Sequence, residues 1–122
     1  MIGTEPDIIR DVRNLSETYE KEIVQRITRN LLDIQILRLL RNKPMWGYMI
    51  TKQAETRFYV KLRHGALYPL LNKMEKNSLL TSEQQPRGRR KRKVYKITPK
   101  GTQYVETYEK ILRAQANGKD VT

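Results

Sequence analysis

The first part of the chain carries an apolar residue at every third or fourth position. Acidic and basic residues occupy many of the positions between, which is the pattern of an amphipathic helix. A single apolar stripe must be buried, either against the rest of its own chain or against a second copy. We expect residues 1–28 to form a dimerisation helix. Its stripe is Ile8, Val12, Leu15, Tyr19 and Ile23.

Residues 31–40 leave little polar face, which predicts a helix at the centre of the core. Asn30, with Asp33 three residues later, is the expected start of this helix, and the stretch ending in Pro44 is its expected end. Residues 45–57 predict a third helix, and residues 58–62 a short extended link. The residues of the third helix that should face inward are Trp46, Met49, Ile50 and Ala54.

A fourth helix is predicted from Gly65 to about Asn77. Its buried face is expected at Leu67, Leu70, Leu71 and Met74, which follow the i, i+3, i+4, i+7 spacing. Pro69 is tolerable because it stands near the first turn. The opposite face should carry His64, Tyr68, Asn72, and Glu75 or Lys76, with Lys73 beside them.

Two β-like runs, Leu79–Gln84 and Val94–Thr98, predict a hairpin with a basic turn between them. Thr98 followed by Pro99 predicts the start of a last helix, residues 99–116, before a frayed tail at 117–122. The apolar stripe of this helix is Tyr104, Val105, Tyr108, Ile111 and Leu112.

This order of elements predicts a mostly α fold with a small β-hairpin, of the α+β class. Residues 29–98 form a winged helix-turn-helix, in which the second and third of its helices are the helix-turn-helix and the hairpin is the wing. The first and last helices are additions to that domain. Neither is needed for the winged-helix core, so both are expected to serve dimerisation, through Ile8, Val12, Leu15, Tyr19, Tyr104, Tyr108, Ile111 and Leu112.

Charge then narrows the function. The chain has 25 Lys and Arg against 13 Asp and Glu, a net charge of +12, and a pI near 10.1, which predicts attraction to polyanions. Eight of those net charges fall in residues 86–101, which contain no acid. Strands would hold such a basic turn in a fixed direction, so nucleic acid is the first candidate partner. The other interpretation is a solvated loop or a localisation tag. The expected wing contacts are Arg87, Gly88, Arg89, Arg90, Lys91, Arg92 and Lys93.

Composition excludes several classes of protein. The chain has no Cys, which excludes disulfides and thiolate metal sites and fits a reducing compartment. No apolar run approaches the roughly 20 residues of a membrane span, and no export signal is visible at the N-terminus. We therefore expect a cytoplasmic protein with no membrane, metal or cofactor. The single His64 and the isolated serines offer no catalytic constellation, so no enzyme is predicted.

Three motifs resemble those of the PadR-like transcriptional regulators. Residues 65–80 read GALYPLLNKMEKNSLL, similar to the family's G-x-L-Y-P-x-L-x-x-L-E, and residues 90–101 read RKRKVYKITPKG, similar to its wing exit. Residues 46–50, WGYMI, look like the opening of its helix-turn-helix. The resemblance implies a winged-helix regulator in which Tyr68 contacts phosphate. It also implies that a small aromatic effector acts on some members, and Trp46 is read either as core or as the wall of such a site. Ser78 stands where the family usually has Gly, so Asn77 is expected to shape that helix end.

The fourth helix is the expected recognition helix. Asn pairs with adenine and Lys with guanine, so Asn72 and Lys73 are both candidates for base contact, and the sequence leaves the choice open. The N-terminal end of a recognition helix meets the major groove, which adds Lys61, Arg63, His64 and Gly65 to Tyr68. Tyr48 and Lys52 of the preceding helix are expected phosphate contacts, with core packing as the alternative for Tyr48.

Together these features predict a homodimeric, sequence-specific regulator of double-stranded DNA that acts as a repressor. Its two recognition helices should lie roughly 34 Å apart, which matches an inverted repeat. The alternatives are an architectural DNA-binding protein of low specificity, and an RNA-binding or anionic-partner module.

Overall fold

The computed structural model describes residues 7–88 and 90–120. It contains five helices and three strands in these residues: α1 Asp7–Asn30, α2 Leu32–Asn42, β1 Met45–Trp46, α3 Gly47–Phe58, α4 His64–Lys76, β2 Leu80–Arg87, β3 Arg90–Ile97 and α5 Pro99–Ala116. The predicted α+β winged helix-turn-helix is confirmed. α3 and α4 form the helix-turn-helix, and β2 and β3 form the wing.

α1 and α2 are almost continuous and are separated by Leu31 alone, whose φ of −124° and ψ of 44° break the helix. The predicted start at Asn30 is wrong. The Asn30 side chain donates instead to the Arg26 carbonyl within α1, at 2.8 Å, and no side chain caps α2. An i−4 acceptor inside α1 satisfies this amide locally, so it is not needed as a cap.

The predicted third helix begins two residues too early. Met45 and Trp46 form β1, which pairs antiparallel with β3 through Met45 with Tyr95 and Trp46 with Val94. Pro44 disfavours helix in the residue before it, and Lys43 is extended with φ −166° and ψ 156°. The extended backbone after Pro44 then pairs with the open edge of β3, and the sheet has the order β1-β3-β2.

The hairpin is longer than its β-like runs indicate. β2 continues to Arg87 and β3 begins at Arg90, and these two residues pair with each other. The predicted strand limits at Gln84 and Val94 are therefore wrong, and the turn begins directly after β2, at Gly88. Gly88 has a φ of 63°, the left-handed region that tight hairpin turns use. Most of the basic cluster therefore belongs to paired strands rather than to the turn.

α2 lies at the centre of the core. Its buried Ile36, Leu37, Leu39 and Leu40 belong to one cluster with residues of α3, α4, the sheet and α5. The predicted buried face of α4 is confirmed, since Leu67, Leu71 and Met74 are buried and Leu70 packs against them. Of the inward residues predicted for α3, Ile50 and Ala54 are buried, whereas Trp46 and Met49 are half-buried.

α4 ends in a Schellman motif that Ser78 closes. Ser78 takes a φ of 62°, its N–H donates to the Glu75 carbonyl at 3.0 Å, and the Leu79 N–H donates to the Met74 carbonyl at 3.0 Å. The expectation that Asn77 shapes this end is wrong, because Asn77 has an ordinary φ of −85°. The predicted start of α5 is confirmed: the Thr98 hydroxyl accepts from the Gly101 N–H at 3.0 Å.

Candidate nucleic-acid interface

The residues predicted for the recognition helix are on the surface. Tyr68 is 38% exposed, and Asn72 and Lys73 are also exposed. The same holds at the N-terminal end of α4 for Lys61, Arg63, His64 and Gly65. α4 therefore presents a polar and basic face over its whole length, while its other face is sealed in the core.

Tyr68 is positioned by two neighbours. The His64 ring lies edge-on to it, with 5.5 Å between the ring centroids. Its hydroxyl reaches the first turn of α3, where a Cβ built on Gly47 would stand 2.5 Å from the oxygen. On the sheet, burial is the main cause that raises the pKa of Tyr95, and the charges of Tyr68 and then of Glu75 add to it. Tyr68 therefore joins α4 to α3.

Glu75 connects the exposed face of α4 to the wing. One carboxylate oxygen accepts from the Ser82 hydroxyl of β2 at 2.5 Å, and the other lies 3.6 Å from the Lys93 ammonium of β3. The Lys93 nitrogen also lies 5.7 Å from the centre of the Tyr95 ring. The recognition face of α4 and the base of the wing are therefore contiguous.

Strand alternation divides the basic wing residues between the two faces of the hairpin. Lys93 shares the α4 side with Tyr95, and Lys91, two residues further toward the tip, is exposed. Arg92 belongs to the other face, where its guanidinium lies 3.9 Å from the centre of the Trp46 ring, within cation–π distance. The side chains of Arg87, Arg89 and Arg90 lie outside the described residues.

The candidates on α3 are also on the surface. Tyr48 is 47% exposed, which argues against the alternative that it packs in the core, and the Lys52 nitrogen lies 5.5 Å from the centre of its ring. Trp46, 5.2 Å from Tyr48 between ring centres, is half-buried beside a cavity of about 310 Å³. Met49, Gln85, Pro86 and Val94 also line this cavity.

The residues predicted for dimerisation form two exposed apolar surfaces. On α1, Val12, Leu15 and Tyr19 are about half exposed; the side chain of Ile8 lies outside the described residues. On α5 the predicted stripe divides: Val105 is fully buried in the chain's own core. The remaining stripe residues line an open groove of about 340 Å³, which Leu31 and Ile34 complete; they are Tyr104, Tyr108, Ile111 and Leu112.

Two residues with a positioning role were not predicted from the sequence. Gly47 had no assigned role, although a glycine at the start of a helix is a signal of close approach. Helical periodicity predicts an exposed Glu75 but no function for it, and the signal that could have found that function is that Glu75 is the only acid in α4. Within residues 7–88 and 90–120, no cluster of His, Asp or Glu is suited to hold a metal ion. No helix in the same residues is long and apolar enough to cross a membrane.

A helix-turn-helix followed by a basic hairpin, with one continuous polar face across both, defines a winged-helix protein of the nucleic-acid-binding type. Comparison of the chain with known proteins supports this class. The sequence profile described as the transcriptional regulator PadR-like family matches residues 36–107. The chain therefore belongs to the PadR-like family of transcriptional regulators, and not to a family of enzymes.

Individual relatives share this description. The transcriptional regulator Rv3488 of Mycobacterium tuberculosis is 28% identical over 103 residues, which are 81% of this chain and 95% of that protein. A PadR family transcription regulator from Clostridium difficile superposes with a TM-score of 0.64 at 30% identity, over 70% of this chain and 90% of its own. Bacillus subtilis PadR, solved in complex with operator DNA, superposes with a TM-score of 0.59 at 28% identity, over 64% of this chain and 46% of its own.

Proposed function

We propose that this protein is a homodimeric, sequence-specific DNA-binding regulator that represses transcription by occupying promoter DNA. The observation that carries the proposal is the contact of Glu75 on α4 with Ser82 and Lys93 of the wing. Because of this contact, the exposed face of α4 and the basic hairpin adjoin, so one duplex can meet both. The operator complex of Bacillus subtilis PadR, a member of the same family, supports the same function.

Each element has a role that fits its chemistry. α4 enters the major groove, where Asn72 or Lys73 contacts a base edge and Tyr68 a phosphate. Tyr48 and Lys52 contact the backbone beside α4, as do Lys61, Arg63 and His64 at its N-terminal end. A Cβ on Gly65 would meet no atom of the chain within 4 Å, so the fold itself does not require glycine there. The glycine instead permits close approach of DNA. The wing residues Arg87 to Arg92 hold phosphates or the adjacent minor groove.

Two copies associate through the helices added to the winged-helix core. The stripe of α1 is half-exposed and the groove of α5 is open, and both are apolar. α5 also packs on α2 and buries Val105 in the core, so only its outer residues are available to a second copy. Burying these large apolar side chains against a second copy stabilises the dimer by about 25 cal/mol for each Å² of apolar surface removed from water. Two-fold symmetry would then present the α4 helices to an inverted repeat.

Selection of bound fragments from a random duplex pool tests this function. We expect a palindromic consensus whose half-sites are about one DNA turn apart. Competition should show a preference for that site over random duplex on the order of 10³-fold or more. A protein that binds all duplexes alike is the architectural alternative. A protein that ignores duplex and retains single-stranded RNA is the RNA-binding alternative.

The cavity beside Trp46 supports a small planar aromatic effector. It is lined by an indole, two methionine side chains (Met45 and Met49) and the Arg92 guanidinium, which together suit an aromatic ring bearing an anionic group. Trp46 is the chain's only tryptophan, so its fluorescence reports on this cavity directly. Titration with 4-hydroxybenzoate should quench the Trp46 fluorescence and change the affinity for DNA. In W46F, which lacks this fluorescence, DNA affinity is measured instead and should not respond to the compound.

A further inference from the structure

The recognition face of α4 carries one negative charge. Glu75 lies seven residues after Tyr68 and three after Asn72, so the three side chains share one side of the helix. A carboxylate on a face that approaches phosphates opposes binding through charge repulsion. Glu75 therefore requires an explanation that the DNA-binding function itself does not provide.

Both Glu75 oxygens already have partners within the protein. The Ser82 hydroxyl occupies Oε2 at 2.5 Å, and the Lys93 ammonium lies 3.6 Å from Oε1. Glu75 is two-thirds covered, with a side-chain exposure of 33%, so it is not extended toward a groove as a residue that reads cytosine would be. Its contacts point back to the wing.

Lys93 is 43% exposed, yet its ammonium is engaged within the protein. It has two protein partners, the Glu75 carboxylate and the face of the Tyr95 ring. Lys91 lies on the same side of β3, one pleat nearer the tip, and is exposed. Two lysines that sequence alone treats as equal wing contacts are therefore in different electrostatic situations.

We propose that Glu75 is a specificity-determining residue that holds Lys93 away from DNA phosphates and fixes the base of the wing against α4. A phosphate contact strengthens binding to every sequence. A fixed angle between the wing and α4 strengthens binding only at DNA sites that both elements can contact at the same time. Glu75 therefore lowers affinity for DNA in general and favours the operator over other sites. This inference rests on the proposed DNA-binding function.

The test compares E75Q with E83Q on random duplex over a range of salt concentrations. Both substitutions remove one negative charge, but Glu83 is exposed on β2 opposite Val94, on the face of the hairpin away from α4. Freeing Lys93 in E75Q should steepen the dependence of log affinity on log salt by about 0.9, and should lower the preference for the selected operator. E83Q should leave both the slope and the preference near those of the wild-type protein.

Lys93 itself supplies the second arm. Adding K93Q to E75Q should return the slope to the wild-type value. Alone, K93Q should change the slope little, whereas K91Q should flatten it by about 0.9. Thermal unfolding of each variant checks that the fold is retained, and K93Q against K91Q decides the matter if E75Q is unstable.

The outcomes separate the two levels of the proposal. Equal slopes for E75Q and E83Q, or equal losses for K93Q and K91Q, overturn the role of Glu75 while leaving the protein a DNA-binding regulator. A wild-type chain that binds no duplex at any salt concentration overturns both.

Discussion

The Tyr68 hydroxyl lies against the Gly47 backbone so closely that a Cβ on Gly47 would stand 2.5 Å from the oxygen. This contact joins the first turn of α3 to the recognition helix. The contact explains the glycine at the start of the helix-turn-helix. The helical backbone of Gly47 would accept alanine, and only the Tyr68 hydroxyl stands in the way of a Cβ.

We expect G47A to weaken DNA binding without lowering stability much. Alanine at a compatible helical position stabilises by about 0.4–1 kcal/mol, which offsets the cost of moving a tyrosine hydroxyl at the end of a long side chain. The substitution should displace Tyr68 and so remove the phosphate contact proposed for it. A double-mutant cycle with Y68A, measured by DNA titration and thermal unfolding, should show that G47A no longer affects binding once Tyr68 is absent. Additive losses of affinity would contradict this coupling.

Replacing Asn72 or Lys73 by alanine should erode sequence preference. A bidentate side-chain contact to a base discriminates by about 1–3 kcal/mol, so the residue that makes it should lose that preference at one position of the site. Affinities for the selected operator and for its single-base variants measure the change. Lys119, exposed beyond α5, provides the control, since K119A should leave the preferences intact. Retention of full selectivity by both N72A and K73A would remove α4 from base recognition.

The Leu15 side chain, 49% exposed on α1, should be essential for the dimer. We expect L15E to yield a monomer, because burying a carboxylate in an apolar interface is strongly unfavourable. Sedimentation equilibrium measures the association directly. N14E introduces the same charge on the opposite face of α1, at an exposed polar position, and should remain dimeric. If L15E and N14E associate equally, α1 is not part of the interface.

Ser78 is the clearest site for stabilisation. A non-glycine residue in the left-handed region costs about 1 kcal/mol, and glycine removes most of that cost. S78G should therefore raise the melting temperature by about 4 °C. Asn77 has a φ of −85°, where glycine only adds unfolded-state entropy. N77G should therefore lower the melting temperature. A rise with N77G and none with S78G would contradict the assigned helix end.

The ion pair between α2 and α5 should make stability depend on pH. Arg41 donates to both Glu109 oxygens, at 2.7 and 3.0 Å, and this hydrogen bond is the main reason that the pKa of Glu109 is lowered. A lowered carboxylate pKa stabilises the fold above the unfolded value, and the benefit is lost as pH falls through the folded value. The pair is partly exposed, so its contribution is about 0.2–1 kcal/mol.

Urea unfolding from neutral pH down to about pH 3 measures this contribution. E109Q should be less stable than the wild-type protein at neutral pH, and the difference should shrink as the solution is acidified. High salt should reduce it as well. E55Q, on the exposed side of α3, serves as the control. A difference that stays constant across the whole range would exclude the Arg41 pair as its source.

Local patterns predicted much of the fold. The spacing of Leu67, Leu71 and Met74 identified the buried face of α4, and Thr98 followed by Pro99 identified the start of α5. These signals depend on helical periodicity and on capping, which operate within a few residues. The exposed residues of α4 followed as the complement of the buried ones.

Features that depend on distant partners were missed or misplaced. The pattern of residues 45–57 predicts helix for Met45 and Trp46, because two residues show no period of their own. Their strand geometry depends on pairing with β3, some 50 residues later. The sequence predicts wing strands that are too short because the segment between them contains proline, glycine and lysine, which are depleted in strands. Pairing with the partner strand outweighs that preference.

The amino-acid sequence on its own determined the class of fold, the family and the exposed face of α4, because periodicity, charge and motif spacing are properties of the linear chain. Only the tertiary structure decided which charges are available on that face. Lys91 and Lys93 look equivalent in sequence, yet Lys93 alone lies against Glu75. The reason is that electrostatic pairing depends on distance in space, and folding brings residue 75 to residue 93.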